Sequence, residues 1–316
     1  MRIALLLFAA ALLQAADRTV TSDESVTQVV FSDDGKFVVG LCGDRKIRLW
    51  DAASGALKHT TPIGAAPEQV ANVAIRPDAS VAAVAGRDGT IRVLRIKDGE
   101  LVQRLTGHKK RPGALAFSAD GKVLASGTDE ERSVRLWDLT TARQTLTLED
   151  GFGGPADLAF SPKGDLIAGS NYDANVRIWD AKSGRLLKTI EDVLVSVFSL
   201  SFSPDGSYLA GAGVDQTVYL WNTKTWALER KITGQPEMIS SLAFSPDGRY
   251  LVTGGFDSAT VRNPVKVMLW DVRSGSPLRT LAADRRVSSV AFSPDSRMMA
   301  VANTGKSVAL WEVPQR

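Results

Sequence analysis

The sequence predicts an all-β fold in which seven four-stranded antiparallel blades form a ring, a seven-bladed β-propeller. Three observations lead to this prediction. One segment is written seven times, and the Trp that ends each copy, or its counterpart, recurs at positions 50, 94, 137, 179, 221, 270 and 311. Within each copy, short apolar alternations are separated by turn residues, which is the pattern of half-buried strands. Helical segments do not alternate with these strands, which argues against a parallel α/β fold.

Each copy contains the same series of strands and turns. In the fourth copy, Leu158 and Phe160 lie on one face of the first strand, and the small residue Ala159 lies between them. We place this strand innermost, where blades crowd the axis. A tight turn, an apolar second strand and a third strand ending in Trp follow, and a Ser-Gly turn leads to a more polar outer strand. The seven copies occupy residues 26–51, 70–95, 112–138, 155–180, 196–222, 239–271 and 287–312.

The spacing and the ending of these copies are typical of propeller blades. A period near 42 residues with a Trp-Asp ending indicates four strands per blade. Trp-Asp dipeptides occur at 50–51, 137–138, 179–180 and 270–271, and a Gly-His dipeptide occurs at 107–108. Residues 17–316 therefore resemble the WD40 repeat family. The resemblance implies a seven-bladed propeller and a structural role for Trp50, Trp137, Trp179, Trp221, Trp270 and Trp311.

The resemblance also implies a buried polar network of His, Ser or Thr, Asp and Trp in a blade. The third copy keeps His108, Ser126 and Trp137, but an insertion at residues 129–131 displaces its Asp, and the other copies lack the His. Four acidic residues precede third strands. They could form a ring that binds a cation or a basic ligand, but their recurrence with the repeat favours structural turn residues. They are Asp44, Asp88, Asp173 and Asp215.

An additional strand is predicted at the start of the ring. Residues 17–22 (DRTVTS) alternate polar and β-branched side chains. The seventh copy stops after its third strand and lacks an outer strand. We expect residues 17–22 to pair with residues 307–311, so that strands from both ends of the chain close the ring.

Residues 1–16 have the layout of a secretory signal peptide. Arg2 precedes eleven apolar residues at 3–13, and Ala15 and Ala16 supply small residues for cleavage. The apolar run is shorter than the roughly 20 residues of a membrane span. We expect an exported chain, periplasmic or secreted, without a membrane span; the alternative is an apolar tail without a targeting role. Cys42 is the only cysteine and lies in an apolar run, which predicts a buried thiol and no internal disulfide.

Composition and motifs do not favour nucleic-acid, metal or cofactor binding. The 38 basic and 35 acidic residues nearly balance, and no basic block stands out. His59 and His108 are the only histidines and lie in different copies, which disfavours a histidine metal site or a Ser-His-Asp triad. Glu130 and Glu131 are interpreted as a solvated loop rather than an acid/base pair. No Gly-rich phosphate motif occurs in a strand–loop–helix context. We expect no cofactor and no enzymatic activity.

The sixth copy has the most individual feature, a long loop at residues 256–266 (FDSATVRNPVK). By strand order it joins the second and third strands, and insertions in repeat proteins fall on the loops of one face, often the binding face. An aromatic and arginine mixture suits a partner surface. The alternative is a tolerated surface insertion. The candidate partner-binding residues on this face are Arg45, Arg87, Tyr172, Phe256 and Arg262.

These observations favour a non-catalytic scaffold that presents one propeller face to an unidentified protein or peptide. One alternative is a propeller enzyme of lactonase or dehydrogenase type, which would need carboxylates or a metal at the axis. Another is a periplasmic accessory factor of envelope assembly. The fold by itself does not select among these functions.

Overall fold

The computed structural model describes residues 17–63, 70–128, 130–149, 155–171, 173–191, 193, 195–257 and 264–314. The predicted signal peptide at residues 1–16 lies outside these ranges. Over the described ranges, every regular element is a β-strand, and the strands form seven four-stranded antiparallel sheets. The predicted all-β architecture of seven blades is therefore confirmed.

In six blades the four strands are consecutive in the chain and neighbouring strands pair in chain order. Blade one contains β2 Val26–Phe31, β3 Phe37–Cys42, β4 Lys46–Asp51 and β5 Leu57–Pro62. Blade two contains β6 Val70–Ile75, β7 Val81–Gly86, β8 Ile91–Arg95 and β9 Leu101–Leu105. Blade three contains β10 Ala114–Phe117, β11 Val123–Thr128, β12 Ser133–Asp138 and β13 Arg143–Glu149. Blade four contains β14 Pro155–Phe160, β15 Leu166–Asn171, β16 Val176–Asp180 and β17 Leu186–Ile190.

Blades five and six repeat this plan. Blade five contains β18 Val197–Phe202, β19 Tyr208–Gly213, β20 Val218–Asn222 and β21 Leu228–Ile232. Blade six contains β22 Met238–Phe244, β23 Tyr250–Phe256, β24 Val265–Asp271 and β25 Pro277–Ala283. The long loop of this blade does join the second and third strands, as its position in the sequence predicts. Its residues 258–263 lie outside the described ranges.

Blade seven takes a strand from the beginning of the chain. Its strands β26 Val287–Phe292, β27 Met298–Asn303 and β28 Ser307–Glu312 are followed in the sheet by β1 Arg18–Thr21. β1 runs antiparallel to β28, in a register that extends from Arg18 opposite Leu310 to Thr21 opposite Ser307. Val20 turns inward from β1 into a cluster that contains Val26 and Trp50 of blade one and Val308 and Leu310 of blade seven. β1 therefore joins the seventh blade to the core that this blade shares with the first.

The first strand of each blade is the inner strand, and inner strands of neighbouring blades lie against each other, as β14 does against β18 and β2 against β26. Four side chains at the same register of these strands bridge adjacent blades by accepting a backbone N–H from the next blade. The bonds run from Leu200 N to Asp157 Oδ2 (2.8 Å), and from Leu242, Val290 and Val29 N to Ser199, Ser241 and Ser289 Oγ (3.2 Å each). The last of these bonds connects blade seven to blade one.

The six repeat tryptophans are at most 1% exposed and fill the space between blades. They fall into two groups. Trp137 and Trp270 donate Nε1–H to Ser126 Oγ (2.7 Å) and Thr253 Oγ1 (2.8 Å). For the other four indoles, Nε1 has no hydrogen-bond partner within the described part of the chain; they are Trp50, Trp179, Trp221 and Trp311.

Glycine replaces the hydroxyl residue beside three of the tryptophans in the second group. A Cβ atom on Gly40 would lie 2.6 Å from Cζ3 of Trp50, and one on Gly211 would lie 2.8 Å from Cζ3 of Trp221. In these blades the indole ring covers the backbone of the second strand directly. The glycine is therefore required by close packing, and the hydroxyl is required where the indole is hydrogen-bonded.

A Ser-x-Asp turn fixes the connection between the first and second strands. In blade five, Ser203 Oγ donates to Asp205 Oδ1 (2.6 Å) and accepts the backbone N–H of Tyr208 (2.9 Å). The same Ser–Asp bond joins Ser32 to Asp34, Ser245 to Asp247 and Ser293 to Asp295. The repeated Phe-Ser-Pro-Asp sequence thus encodes a side-chain-stabilised turn.

Candidate functional site

The candidate site is the mouth of the axial channel on the upper face, which we define as the face that carries the start of the inner strands and the turns between second and third strands. A cavity of 440 Å³ opens here and is lined mainly by polar side chains. Its walls include Thr27, Gln28, Arg45, Asp157, Phe198, Ser199, Ser240, Ser241, Ser288 and Ser289. The lining residues belong to the inner strands of blades one, two, four, five, six and seven, and to β3 and the following turn of blade one.

Asp157 is the one carboxylate on the wall of this cavity within the described ranges. Its Oδ1 accepts the N–H of Leu158 (2.9 Å) and its Oδ2 accepts the N–H of Leu200 in the next blade (2.8 Å). Burial raises the pKa of the Asp157 carboxyl to about 6, against the lowering effect of these two backbone hydrogen bonds. The carboxylate is therefore ionised at neutral pH but protonates in mildly acidic solution.

At the channel mouth, one side chain from blade five, one from blade six and one from the connection between blades six and seven form an aromatic and cationic cluster. The rings of Phe198 and Phe256 lie 6.0 Å apart between centroids at 47°. The guanidinium carbon of Arg286 lies 4.6 Å from the centroid of Phe256, which is a cation–π distance. We call Phe198, Phe256 and Arg286 the aromatic cluster. It adjoins the long loop of blade six, because Phe256 is the last residue of β23.

The predicted partner-binding residues fall partly on this face. Arg45 and Arg87 lie in the turns between second and third strands of blades one and two, and Phe256 belongs to the aromatic cluster. Arg45 also lines the channel mouth, and Arg87 does not. Tyr172 and Arg262 lie outside the described residues. The structure thus brings Phe256 and Arg45 to one region of the upper face, while the partner-binding role of all five residues stays a prediction.

The sequence pattern missed Phe198, Arg286 and Asp157. A comparison of register positions across the seven copies contains the signal for two of them. At the position of Phe198 the other copies have Thr, Ala, Gly or Ser, and at the position of Asp157 they have Gln, Asn, Ala or Ser. Each is an outlier at an axial position that is otherwise small or neutral.

The third blade contains the polar network that the family resemblance implies. His108 Nε2 lies 2.7 Å from Ser126 Oγ, and His108 Nδ1 lies 3.1 Å from Glu131 Oε2. The carboxylate of Glu131 can only accept, so neutral His108 carries its proton on Nδ1 and donates it to Glu131. His108 Nε2 therefore accepts the hydroxyl hydrogen of Ser126, whose oxygen accepts the N–H of Trp137. Burial lowers the pKa of His108, which keeps the imidazole neutral.

Glu131 corrects the expectation of a solvated loop. Its side chain is 11% exposed and accepts hydrogen bonds from Arg135 Nη2 (2.9 Å) and from the backbone N–H groups of Lys109 and Lys110. The interpretation of Glu131 as solvated was wrong, because the longer glutamate reaches the network position from which the insertion displaces the aspartate. Glu130 is 60% exposed and pairs with Lys110, as expected for a surface loop residue.

The sixth blade contains a second network that the sequence analysis did not predict. Thr253 Oγ1 donates to Gln235 Oε1 (2.8 Å) and accepts the N–H of Trp270. Gln235 stands 18 residues before Thr253, as His108 stands 18 residues before Ser126, and each follows a glycine. Gln235 thus takes the place of the histidine as the group that accepts the hydroxyl hydrogen, and the hydroxyl oxygen again accepts the indole N–H.

The four turn aspartates are bound by neighbouring groups of their own blades. Asp44 and Asp88 pair with Arg48 and Arg92 four residues later, at 2.7 Å in each case. Asp173 pairs with Arg177 (2.6 Å) and Asp215 accepts the hydroxyl of Tyr219 (2.6 Å). Hydrogen bonding to the arginines lowers the pKa of Asp44 and of Asp88. Each carboxylate is engaged within its own blade.

Three further observations concern the cysteine, metal-binding groups and membrane-spanning helices. Cys42 is buried, as predicted, and burial raises the pKa of its thiol. In the part of the chain that the structure describes, no group of three His, Cys, Asp or Glu side chains is arranged to hold a metal ion. No helix among the same residues has the length and apolar character needed to cross a membrane.

The ring of seven four-stranded sheets places the protein among the seven-bladed β-propellers. The WD40 family model (WD domain, G-beta repeat) matches residues 17–51, 99–138, 145–180, 184–222, 226–261 and 275–312. These segments cover most of the chain, and the chain belongs to the WD40 repeat family. The unmatched residues 52–98 include the first three strands of blade two, which has Leu94 in place of Trp. The structure nevertheless shows four strands in blade two, as in the other blades.

Relatives with assigned names are diverse. The chain is 29% identical over 141 residues to an uncharacterized WD repeat-containing protein, sll1491, of Synechocystis sp.. The aligned segment covers 44% of this chain and 39% of the relative. The chain is 32% identical over 148 residues to the nuclear distribution protein PAC1 of Coccidioides posadasii, covering 40% and 31%. It is 36% identical over 98 residues to the target of rapamycin complex subunit wat1 of Schizosaccharomyces pombe, covering 30% of each. The chain spans less than half the length of these relatives.

Proposed function

We propose that this protein is a non-catalytic scaffold that binds a protein or peptide on the upper face of its propeller. The observation that carries the proposal is the aromatic cluster beside the channel mouth, where Phe198 and Phe256 pack together and Arg286 lies over the Phe256 ring. Aromatic residues and arginine are enriched among the residues that dominate binding energy at protein interfaces. A WD40 propeller fits a protein-interaction role, and one relative is named as a subunit of a protein complex.

The rigidity of the blades supports this use of the upper face. The blade cores are filled by buried tryptophans, and the inner strands are bridged by side-chain hydrogen bonds. Turns on such a frame can vary without disturbing the core. Arg45 and Arg87 extend the cationic character of the face to blades one and two.

The test is affinity purification of the tagged protein from its native host, followed by mass spectrometry. The structure refines the choice of variant, because a deletion of residues 256–266 would remove the end of β23 and the first two residues of β24. We therefore choose Phe256→Ala combined with Arg286→Ala. The matched control is Arg273→Ala, an exposed arginine in the turn between third and fourth strands, on the opposite face.

We expect specific partners to be lost from the double variant and retained by the control. If the double variant retains every partner, the aromatic cluster is not the binding site. If the Arg273→Ala variant loses them and the double variant does not, the lower face is the binding face.

We further propose that the protein is exported, on the basis of the signal-peptide pattern in residues 1–16. Expression of the full chain in a Gram-negative host should give a processed protein in the periplasmic fraction or the medium. N-terminal sequencing should place the new terminus close to Ala15 or Ala16. Recovery of the unprocessed chain in the cytoplasm alone would contradict export.

A further inference from the structure

The axial cavity is lined by two opposite charges that do not pair with each other or with the rest of the described chain. Asp157 belongs to blade four and Arg45 to blade one, three blades apart in a ring of seven. Within the described ranges, neither side chain takes part in an ion pair. Asp157 accepts only backbone N–H groups, from Leu158 and Leu200. Each charge thus faces the cavity, and no described side chain of opposite charge pairs with it.

The wall between these charges offers both donors and acceptors of hydrogen bonds. Ser199 Oγ and Ser241 Oγ accept the N–H groups of Leu242 and Val290, which leaves their hydroxyl hydrogens free to donate into the cavity. Gln28 Oε1 is buried and has no hydrogen-bond partner among the residues described. A ligand that fills the cavity would therefore satisfy polar groups that the fold itself leaves open.

The carboxylate of Asp157 is not needed to bridge the blades. In blades five, six and seven a serine at the same register accepts the same type of N–H from the next blade. A serine would also avoid the cost of burying a charge, which is visible in the raised pKa of Asp157, about 6. A charged group kept where a neutral one would serve the fold points to a ligand.

We propose that the cavity binds a small zwitterion, a free amino acid or a short peptide, with its ammonium group on Asp157 and its carboxylate on Arg45. The cavity volume of 440 Å³ lies within the range of small-molecule sites. A zwitterion neutralises both charges at once, whereas a simple cation would leave Arg45 unpaired and a simple anion would leave Asp157 unpaired. This small-molecule site shares Arg45 and Phe198 with the face proposed to bind a partner, but its test uses the purified protein alone and does not depend on a partner.

Isothermal titration calorimetry of the purified protein at pH 7.5 tests the proposal, with two sets of probes. One set contains the twenty common amino acids, and the other contains zwitterionic dipeptides, beginning with alanyl-alanine. Saturation by members of the first set identifies a free amino acid as the ligand, and saturation by the second set alone identifies a peptide. The absence of saturable binding in both sets overturns the proposal.

Variants and blocked ligands then locate the two ends of the bound probe. Asp157→Ser and Arg45→Gln should each weaken binding by about tenfold or more, because each removes a charge-assisted hydrogen bond. Arg273→Gln, an exposed arginine of the opposite face that does not line the cavity, should bind as the parent does. N-acetylation of the probe should weaken binding to the parent but cause little further loss in Asp157→Ser. Amidation of its carboxylate should behave in the same way with Arg45→Gln.

The pH dependence provides an independent readout. Among described residues, the ionisable side chains on the cavity wall are Asp157, Arg45 and Cys42, and the raised pKa of Cys42 keeps its thiol neutral. Binding to the parent should weaken as the pH falls through about 6, when Asp157 protonates. Asp157→Ser should lose this dependence. Equal affinity of the parent and Asp157→Ser at pH 7.5 would overturn the assignment.

A folding control keeps these results interpretable. The folded carboxyl of Asp157 has a raised pKa, so its contribution to stability falls as the pH rises from about 4 to about 6. Asp157→Ser should therefore melt at or above the temperature of the parent at pH 8. If it melts much lower, Asp157→Asn replaces it in the binding assay.

Discussion

Replacement of Val20 by Ala tests whether the N-terminal strand is part of the propeller core. Val20 is 1% exposed and lies in the cluster that blades one and seven share. The substitution removes two methyl groups from a buried site and leaves a cavity, which costs about 2–3 kcal/mol in free energy of unfolding. For a chain of this size, that corresponds to a decrease in melting temperature of about 3–5 °C.

The matched control is Thr19→Ala in the same strand. Thr19 pairs with Ala309 across the sheet, but its side chain is exposed, so the change should cost about 0.5 kcal/mol or less. Thermal unfolding followed by circular dichroism, with urea titration at 25 °C, measures both variants. Equal stability of Val20→Ala and Thr19→Ala would refute the burial of Val20 and the role of β1 in the last blade.

Deletion of residues 17–22 should lower the melting temperature further, since it removes β1 and exposes the edge of β28, and an unchanged melting curve would contradict the pairing. Gly40→Ala should destabilise the protein by about 2 kcal/mol or more, because the added Cβ would lie 2.6 Å from Trp50. Gly113→Ala should be near neutral in the same urea titration, because its Cβ would have no described atom within 4 Å apart from its chain neighbours. Ser126→Ala should cost about 1–3 kcal/mol because it leaves a buried indole N–H and His108 Nε2 without partners, and His108→Gln should cost less, since the sixth blade uses glutamine at this place.

The fold could be predicted in detail because the repeat encodes it redundantly. Every copy encodes the same inner strand, and six of the seven copies end the third strand in Trp, so the loss of one feature in one copy does not obscure the pattern. Blade two illustrates this, since it has Leu94 in place of Trp and yet forms four strands in the same order. The pairing of β1 with β28 could be predicted for a related reason, because the seventh copy needs an outer strand.

The polar networks were harder to predict because several side chains meet the same geometric need. Glu131 reaches His108 from a position displaced by an insertion, and its extra methylene compensates for the displacement. Gln235 offers an amide oxygen where the third blade offers an imidazole nitrogen. A sequence pattern that requires both His and Asp does not detect the network of blade three or that of blade six. In both blades, however, the residue that accepts the hydroxyl hydrogen stands 18 residues before the Ser or Thr.

The residues that meet at the channel mouth could not be predicted from any single copy of the repeat, because they come from different copies. Phe198 lies in blade five, Phe256 in blade six and Arg286 in the connection that leads to blade seven, and the packing of neighbouring blades brings them into contact. The inner-strand register nevertheless separates structural from functional demands. Serine at this register joins neighbouring blades by accepting a backbone N–H, so the fold requires a hydrogen-bond acceptor here and does not require a charged side chain. Asp157 also accepts such an N–H, and it adds a negative charge near the axis. This charge is not needed to join the blades, and it is the group that we propose to bind the ammonium group of the ligand.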